Sequence, residues 1–259
     1  MENCVSVMMP KGGVGKTTTV ANLAAALVRQ GYQVLVVDND WQGSATVHAG
    51  YKDPEELTGQ GTLADVLAGH CAAADAVRKA QEGYDLIAGN GALINIDVQL
   101  IGLGEAGIYA IRKALEPVAD QYDVILIDCE PGMHVRNLGA LAASHYVLAP
   151  VSADYLSLKP LRLFLQVLHN AQQRYHMPPH ATGVIVTRFD ARQNQALEVV
   201  EVVRRMAPAA GMTWMETIIP ERAAHRKAAA AGTSVYDGLP GAEDLTELYN
   251  ELARRVIAW

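Results

Sequence analysis

The sequence predicts a three-layer α/β fold, with a mostly parallel central sheet flanked by helices on both faces. Three observations predict it. Short β-branched runs alternate with helical patterns along the chain. The segment Tyr122-Asp123-Val124-Ile125-Leu126-Ile127-Asp128 has a continuous apolar centre, as a strand buried on both faces requires. A glycine-rich stretch separates the first strand from the first helix, a context in which backbone N–H groups can gather around an anion.

The elements follow in order. Residues 5–9 read as a buried strand and 17–30 as a helix that Gly31 ends as a C-cap. Residues 33–38 form a second strand, 41–83 are less regular, and 84–88 are a short strand. Residues 108–120 have a helical pattern, and 122–128 are the central strand. Strands at 146–151, 181–187 and 213–219 alternate with helices at 158–175 and 194–207. Two helices, near 221–231 and 242–258, complete the series. No repeat, low-complexity tract or linker interrupts it, so residues 1–259 read as one domain, with Pro178-Pro179 as a loop.

Composition narrows the class. Half of the 259 residues are hydrophobic, enough for a sizeable core, yet no run of about 18 apolar residues exists to span a membrane. Residues 1–9 lack the pattern of a secretory signal. The three cysteines, Cys4, Cys71 and Cys129, are widely spaced and odd in number, which fits a reducing cytoplasm better than a disulfide framework. No His/Cys cluster has zinc spacing. Net charge is −7 but unevenly spread: residues 1–158 carry −9, residues 159–227 carry +5 and residues 228–259 carry −3. A basic region inside an acidic chain can serve a phosphate backbone, and a solvated helix surface gives the same pattern.

The sharpest motif is Pro10-Lys11-Gly12-Gly13-Val14-Gly15-Lys16-Thr17-Thr18. Gly12, Gly13 and Gly15 let the backbone bend so that its N–H groups converge on phosphate oxygens. The following helix points its positive end at the same anion. Lys16 can reach β- and γ-phosphates, the Thr17 hydroxyl suits Mg²⁺, and Thr18 suits a further phosphate contact. Pro10 stands where the strict phosphate-loop pattern has its first glycine.

The segment 11–18 resembles the deviant Walker A box of the ParA/MinD family of P-loop ATPases. Val36-Val37-Asp38-Asn39-Asp40-Trp41-Gln42-Gly43-Ser44-Ala45-Thr46 resembles that family's switch I, and Ile125-Leu126-Ile127-Asp128-Cys129-Glu130-Pro131-Gly132 its Walker B strand and switch II. The resemblance covers nearly the whole chain and implies a P-loop NTPase fold, ATP and Mg²⁺ as ligands, and a homodimer closed around ATP. It implies that Lys11 crosses the dimer interface to the partner's nucleotide, that Asp40 orients the attacking water, and that Thr17, Asp40 and Asp128 serve the metal, with Asp38 supporting its shell. Thr187, Arg188 and Pro220 fall where the family's nucleotide-base pocket lies.

Several positions depart from the family pattern. Trp41 stands for a proline, Ser44 for an asparagine, Glu130 for a proline and Gly132 for a serine. In the stretch after Pro220, usually arginine-rich, the positive charge is displaced to Arg222, Arg226 and Lys227. With Arg192, Arg204 and Arg205 these are the candidates for sequence-independent contact with double-stranded DNA. The lack of an N-terminal helix-turn-helix points to the short, Soj-like type. The expectation is a slow, partner-stimulated ATPase in the cytoplasm, associated with the nucleoid. It would position a plasmid, chromosome or protein assembly with a ParB-like partner or cargo adaptor. A MinD-like ATPase on the membrane is the alternative. The tail Leu248 to Trp259 carries two arginines and a terminal tryptophan, but a final helix packed on the sheet accounts for it, and no stable membrane association is expected. An iron-protein relative would need paired interface cysteines, and only Cys129 lies near the nucleotide motifs.

Overall fold

Aliphatic and β-branched runs without polar interruption become the innermost strands, since only there are both faces covered. The computed structural model describes residues 1–175, 177 and 181–259; the Pro178-Pro179 pair lies outside the described residues. The chain begins with β1 (Cys4–Val7), α1 (Lys16–Arg29), β2 (Val34–Asn39) and α2 (Ser44–His48). The short helices α3 (Leu63–Leu67) and α4 (Ala73–Ala76) precede β3 (Val77–Lys79) and β4 (Asp85–Ile87). Three helices follow: α5 (Leu93–Gly102), α6 (Glu105–Ile108) and α7 (Ala110–Leu115). Then come β5 (Val124–Cys129), α8 (Val135–Ala143), β6 (Tyr146–Ser152) and α9 (Leu158–Arg174). The chain ends with β7 (Ala181–Phe189), α10 (Asn194–Ala209), β8 (Thr213–Pro220), α11 (Ala223–Ala231) and α12 (Glu243–Ile257).

The eight strands form one sheet in the order β3-β4-β2-β5-β1-β6-β7-β8. All neighbouring pairs are parallel except β3 with β4. Strand alternation divides the core in two. Val5, Val36, Leu126 and Ile185 face α1 and α12, where Leu23, Leu27, Leu252 and Val256 meet them. Leu35, Ile125, Val147 and Val186 face the other way, onto Leu100, Leu141, Phe164 and Val203 of α5, α8, α9 and α10.

Register positions the site. Asp38 pairs with Asp128, and Val7 pairs with Asp128 from the other side, so β2, β5 and β1 end together. Ser152 and Thr187 are level at the ends of β6 and β7. The carboxyl ends of a parallel sheet are where such folds gather ligands.

Several element boundaries differ from the sequence reading. The first strand runs 4–7 rather than 5–9: Met8 still donates to the Leu148 carbonyl at 3.0 Å, and the chain bends at Pro10 into the glycine loop. The helical pattern at 108–120 is broken: α7 ends at Leu115 and a 3₁₀ segment, Glu116–Gln121, follows with Pro117 in its first turn. The irregular region 41–83 contains α2, α3, α4 and β3, each too short to show a period. Helices α5 and α8 escaped the sequence reading. Both lie in apolar stretches where helix and strand look alike.

Candidate functional site

Gly13 and Gly15 take left-handed backbone angles, φ 71° and 83°, which a side chain would strain. Gly15 is also the N-cap of α1 and supplies no side-chain cap, so the first N–H groups of the helix stay open to an anion. The loop is braced from β7. The Thr187 hydroxyl donates to the Val14 carbonyl at 2.7 Å, and the Arg188 guanidinium donates to the Gly13 carbonyl at 2.9 Å. Arg188 itself has φ 53°, uncommon for a residue with a side chain, at an irregularity in the β7–β8 pairing.

Lys16 Nζ folds back over the loop and donates to the Lys11 carbonyl at 3.3 Å. It is buried, and burial lowers its pKa against the pull of Asp128, Cys129, Asp40 and Glu130. Asp40 and Glu130 line a cavity of about 680 Å³ together with Gly13, Gly15, Lys16, Thr17 and Thr18. Thr187, Arg188, Pro220, His225 and Tyr249 line the same cavity. Lys11, Gly12 and Val14 are not part of the lining; Gly12 has no side chain and Val14 is buried, so these two can serve only through the backbone of the loop.

The three aspartates differ in what satisfies them. Both oxygens of Asp38 are engaged: one accepts from the Thr46 amide and hydroxyl, both at 2.7 Å, and the other from the Asp40 amide at 3.2 Å. Burial raises its pKa to about 6. Asp38 therefore fastens the loop after β2, and its bond to the Asp40 amide ties it to the aspartate that faces the cavity. Asp40 accepts from the Gln42 amide at 2.9 Å and faces the cavity. Asp128 is buried with both carboxylate oxygens lacking an ordinary hydrogen bond among the described residues. Burial and the neighbouring Asp38 push its pKa well up, while the Thr17 hydroxyl and Lys16 pull it down.

A buried carboxylate without partners is costly unless something cationic completes it. Thr17, Asp40 and Asp128 fit a hard divalent ion for that reason. Among the described residues no three His, Cys, Asp or Glu side chains form a cage. Magnesium seldom needs one, since phosphate and water fill most of its positions.

Lys11 is turned elsewhere. Its ammonium donates to both oxygens of Asp154, at 2.7 and 2.9 Å, and to the Ser157 hydroxyl at 2.9 Å. Two further residues had no sequence signal. Arg136, on α8, has no exposed side-chain surface and is paired with Glu130 and Asp97. His225, in the cavity wall, holds the Tyr249 hydroxyl at 3.2 Å. Finding Arg136 from sequence would have required asking what neutralises Glu130.

The six basic candidates fall on two elements. Arg192, Arg204 and Arg205 lie before and on α10, and Arg222, Arg226 and Lys227 before and on α11. The two helices belong to opposite sides of the sheet, with α10 packed against β7 and β8 and α11 packed against α2. All five arginines pair with carboxylates: Asp190 holds Arg192, Glu201 holds Arg204 and Arg205, Asp244 holds Arg222 and Glu221 holds Arg226. Arg226 also lines the nucleotide cavity. Cys129 is buried at the end of β5 and not displayed at a surface. Trp259 stacks on Tyr146 at 5.2 Å and closes over Gly183, so its ring is engaged inside the fold. Among the described residues, no helix is long and apolar enough to cross a membrane.

A braced glycine loop, a buried lysine and an incomplete carboxylate at the ends of parallel strands define a P-loop nucleotide-binding protein. Comparison with known proteins agrees. The AAA domain family model matches residues 2–178. The sporulation initiation inhibitor protein Soj of Bacillus subtilis is 30% identical over 259 residues, covering 100% of this chain and 99% of that protein. The chromosome partitioning protein ParA of Myxococcus xanthus is 33% identical over 201 residues, covering 77% of this chain and 70% of that protein. A cobyrinic acid a,c-diamide synthase from Mycobacterium smegmatis, solved with ADP and magnesium, superposes with a TM-score of 0.73 at 33% identity, over 79% of this chain and 82% of that one. The chain belongs to the ParA/Soj family of P-loop ATPases.

Proposed function

We propose that the chain is a ParA-type ATPase. It binds ATP with magnesium in this cavity, closes into a homodimer around the nucleotide, and in that state binds DNA without regard to sequence. A cargo-linked partner of the ParB type then stimulates hydrolysis and resets it. The observation that carries this reading is the Asp128 carboxylate, buried and unsatisfied beside Lys16 and Thr17 at the mouth of the phosphate loop. Such a group makes sense as one half of a nucleotide–metal site.

The chain's own residues divide the work. The loop amides from Gly12 to Thr18 and the N-terminus of α1 receive the phosphates. Lys16 neutralises their charge from a site too dry to screen it. Magnesium, when bound, draws electron density from the phosphate oxygens, and Thr17, Asp40 and Asp128 would hold it. Asp40 orients the attacking water. Thr187, Arg188 and Pro220 border the base. Lys11, released from Asp154, supplies positive charge to the partner's nucleotide. Arg192, Arg204, Arg205, Arg222, Arg226 and Lys227 contact phosphate backbones on either side of the sheet edge, at the expense of their present carboxylate pairings. The family relatives named for chromosome partitioning support this reading.

The test is binding to a random-sequence DNA duplex, followed by fluorescence anisotropy with no nucleotide, with ADP, and with ATP plus Mg²⁺. Binding confined to the ATP state, weakened by salt, and lost in Lys16→Ala and in Arg226→Ala/Lys227→Ala is the expected result. Equal binding in all nucleotide states would contradict the switch. No binding in any state would contradict the DNA role.

A further inference from the structure

Arg136 has no exposed side-chain surface, and its guanidinium joins Asn39 and Glu130, at the ends of β2 and β5, to Asp97 on α5. Its Nη1 donates to the Asn39 carbonyl at 2.7 Å, one residue before Asp40. Its Nη2 donates to Glu130 Oε1 at 2.7 Å. Its Nε donates to Asp97 Oδ1 at 2.8 Å, which anchors the guanidinium from α5. The next residue, Asn137, repeats the pattern. It donates to the carbonyls of Glu130 and Gly132, both at 2.9 Å, and accepts from the Asn39 amide group at 3.3 Å. Two consecutive residues of α8 thus tie the loop after β2, which carries Asp40, to the loop after β5, which carries Glu130.

Glu130 lines the nucleotide cavity beside Asp40 and Lys16, yet it is almost fully buried. A carboxylate so placed needs a fixed countercharge. The planar fork of an arginine, pre-ordered by Asp97, supplies one with a defined direction. A plain structural ion pair has no reason to engage both catalytic loops at once, or to present its carboxylate to the cavity.

We propose that Arg136 is a positioning residue of the hydrolytic site: it directs Glu130 toward the phosphate end of the cavity and, through Asn39, fixes Asp40, so that the two carboxylates orient one attacking water together. The proposal rests on the ATPase reading above. In that reaction the water oxygen forms the new bond to the γ-phosphorus. The bond from that phosphorus to the bridging oxygen breaks, its electron pair stays on ADP, and the water's protons end on the released phosphate and solvent. Glu130 and Asp40 act by holding the water in line, and Arg136 acts through them.

The test compares the full chain with Glu130→Gln, Arg136→Lys, Arg136→Met, Asp97→Asn and the double variant Glu130→Gln/Arg136→Met. Single-turnover hydrolysis of labelled ATP gives the rate, a fluorescent ATP analogue gives affinity, and a thermal melt reports folding. Groups that orient a reacting group rather than touch it commonly cost about 10–100-fold when removed. Glu130→Gln and Arg136→Met should each slow hydrolysis at least about tenfold with nucleotide affinity nearly unchanged, and Arg136→Lys should recover part of the loss. The double variant should be no slower than Arg136→Met alone, because the two residues act as one unit. Asp97→Asn should slow hydrolysis by about two- to threefold. If Arg136→Met fails to fold, Glu130→Gln and Asp97→Asn decide. Wild-type hydrolysis in Glu130→Gln, or fully independent losses in the double variant, would overturn the proposal while leaving the ATPase reading intact. A wild type that binds ATP and never hydrolyses it would overturn both.

Discussion

Lys11 Nζ lies 2.7 Å from Asp154 Oδ1, so the lysine proposed to reach a partner's nucleotide is held here within its own chain. Both side chains are partly exposed, at 27% and 38%. An ion pair so placed stabilises by under about 1 kcal/mol after solvent screening. Exchange of Asp154 for a phosphate is therefore cheap. Asp154→Asn should lower the protein concentration needed for ATP-dependent self-association severalfold, read by light scattering against protein concentration. An unchanged or raised threshold would show that the pair does not compete with dimer formation.

Asp128 sets a balance between stability and ligand binding. Its carboxylate is buried with no ordinary hydrogen bond among the described residues, a cost of order 1–3 kcal/mol for a polar group left unsatisfied. Asp128→Asn should raise the melting temperature of the nucleotide-free protein. It should also abolish the gain in ATP affinity that magnesium gives the wild type. Calorimetry with and without magnesium checks the second effect, and a retained magnesium effect would remove Asp128 from the metal site.

His225 gives an acid limb to stability. Burial lowers its pKa to about 4 from an ordinary 6.5. The unfolded chain then takes up a proton that the folded chain refuses, so stability is full above about 6.5 and falls as the pH drops toward 4. The loss is at most about 3 kcal/mol. Denaturant melts between pH 7 and pH 4 should show a shallower decline in His225→Gln than in the wild type. Parallel declines would place the acid sensitivity elsewhere.

Gly183 makes room for the C-terminal ring. A Cβ there would fall 2.2 Å from Trp259 Cζ2 and 2.9 Å from Met215 Sδ. Gly183→Ala should destabilise the protein by about 1–3 kcal/mol through overpacking. Deleting Trp259 in the same background should recover part of that loss. Thermal melts of the two variants provide the check, and a neutral Gly183→Ala would mean that the tail is free to leave Tyr146.

Legibility from sequence followed the length and character of each signal. The phosphate loop was readable because its glycines, lysine and threonines serve one local geometry. The central strands were readable because β1, β2, β5 and β6 are covered on both faces and carry uninterrupted apolar runs. Helix α8 was not, since a buried apolar stretch has no period to separate helix from strand, and in α5 the exposed Ile94, Val98 and Ile101 hid the buried stripe Leu93, Ile96 and Leu100. The hold of Thr46 on Asp38 was not legible because it depends on a contact eight residues away. Arg136 was invisible because its partners, Asp97 and Asn39, are 39 and 97 positions distant. The docking of Trp259 likewise depends on Tyr146, which only the fold brings beside it.

The most direct test of an ATP-switched dimer is the mass of the protein in solution. Sedimentation equilibrium would be run with no nucleotide, with ADP, and with ATP plus Mg²⁺, for the wild type and for Lys11→Ala. The account predicts a doubling of mass in ATP plus Mg²⁺ alone, and a Lys11→Ala protein that binds ATP but stays monomeric. A wild type that is monomeric in every state, or a Lys11→Ala protein that pairs as readily as the wild type, would contradict it.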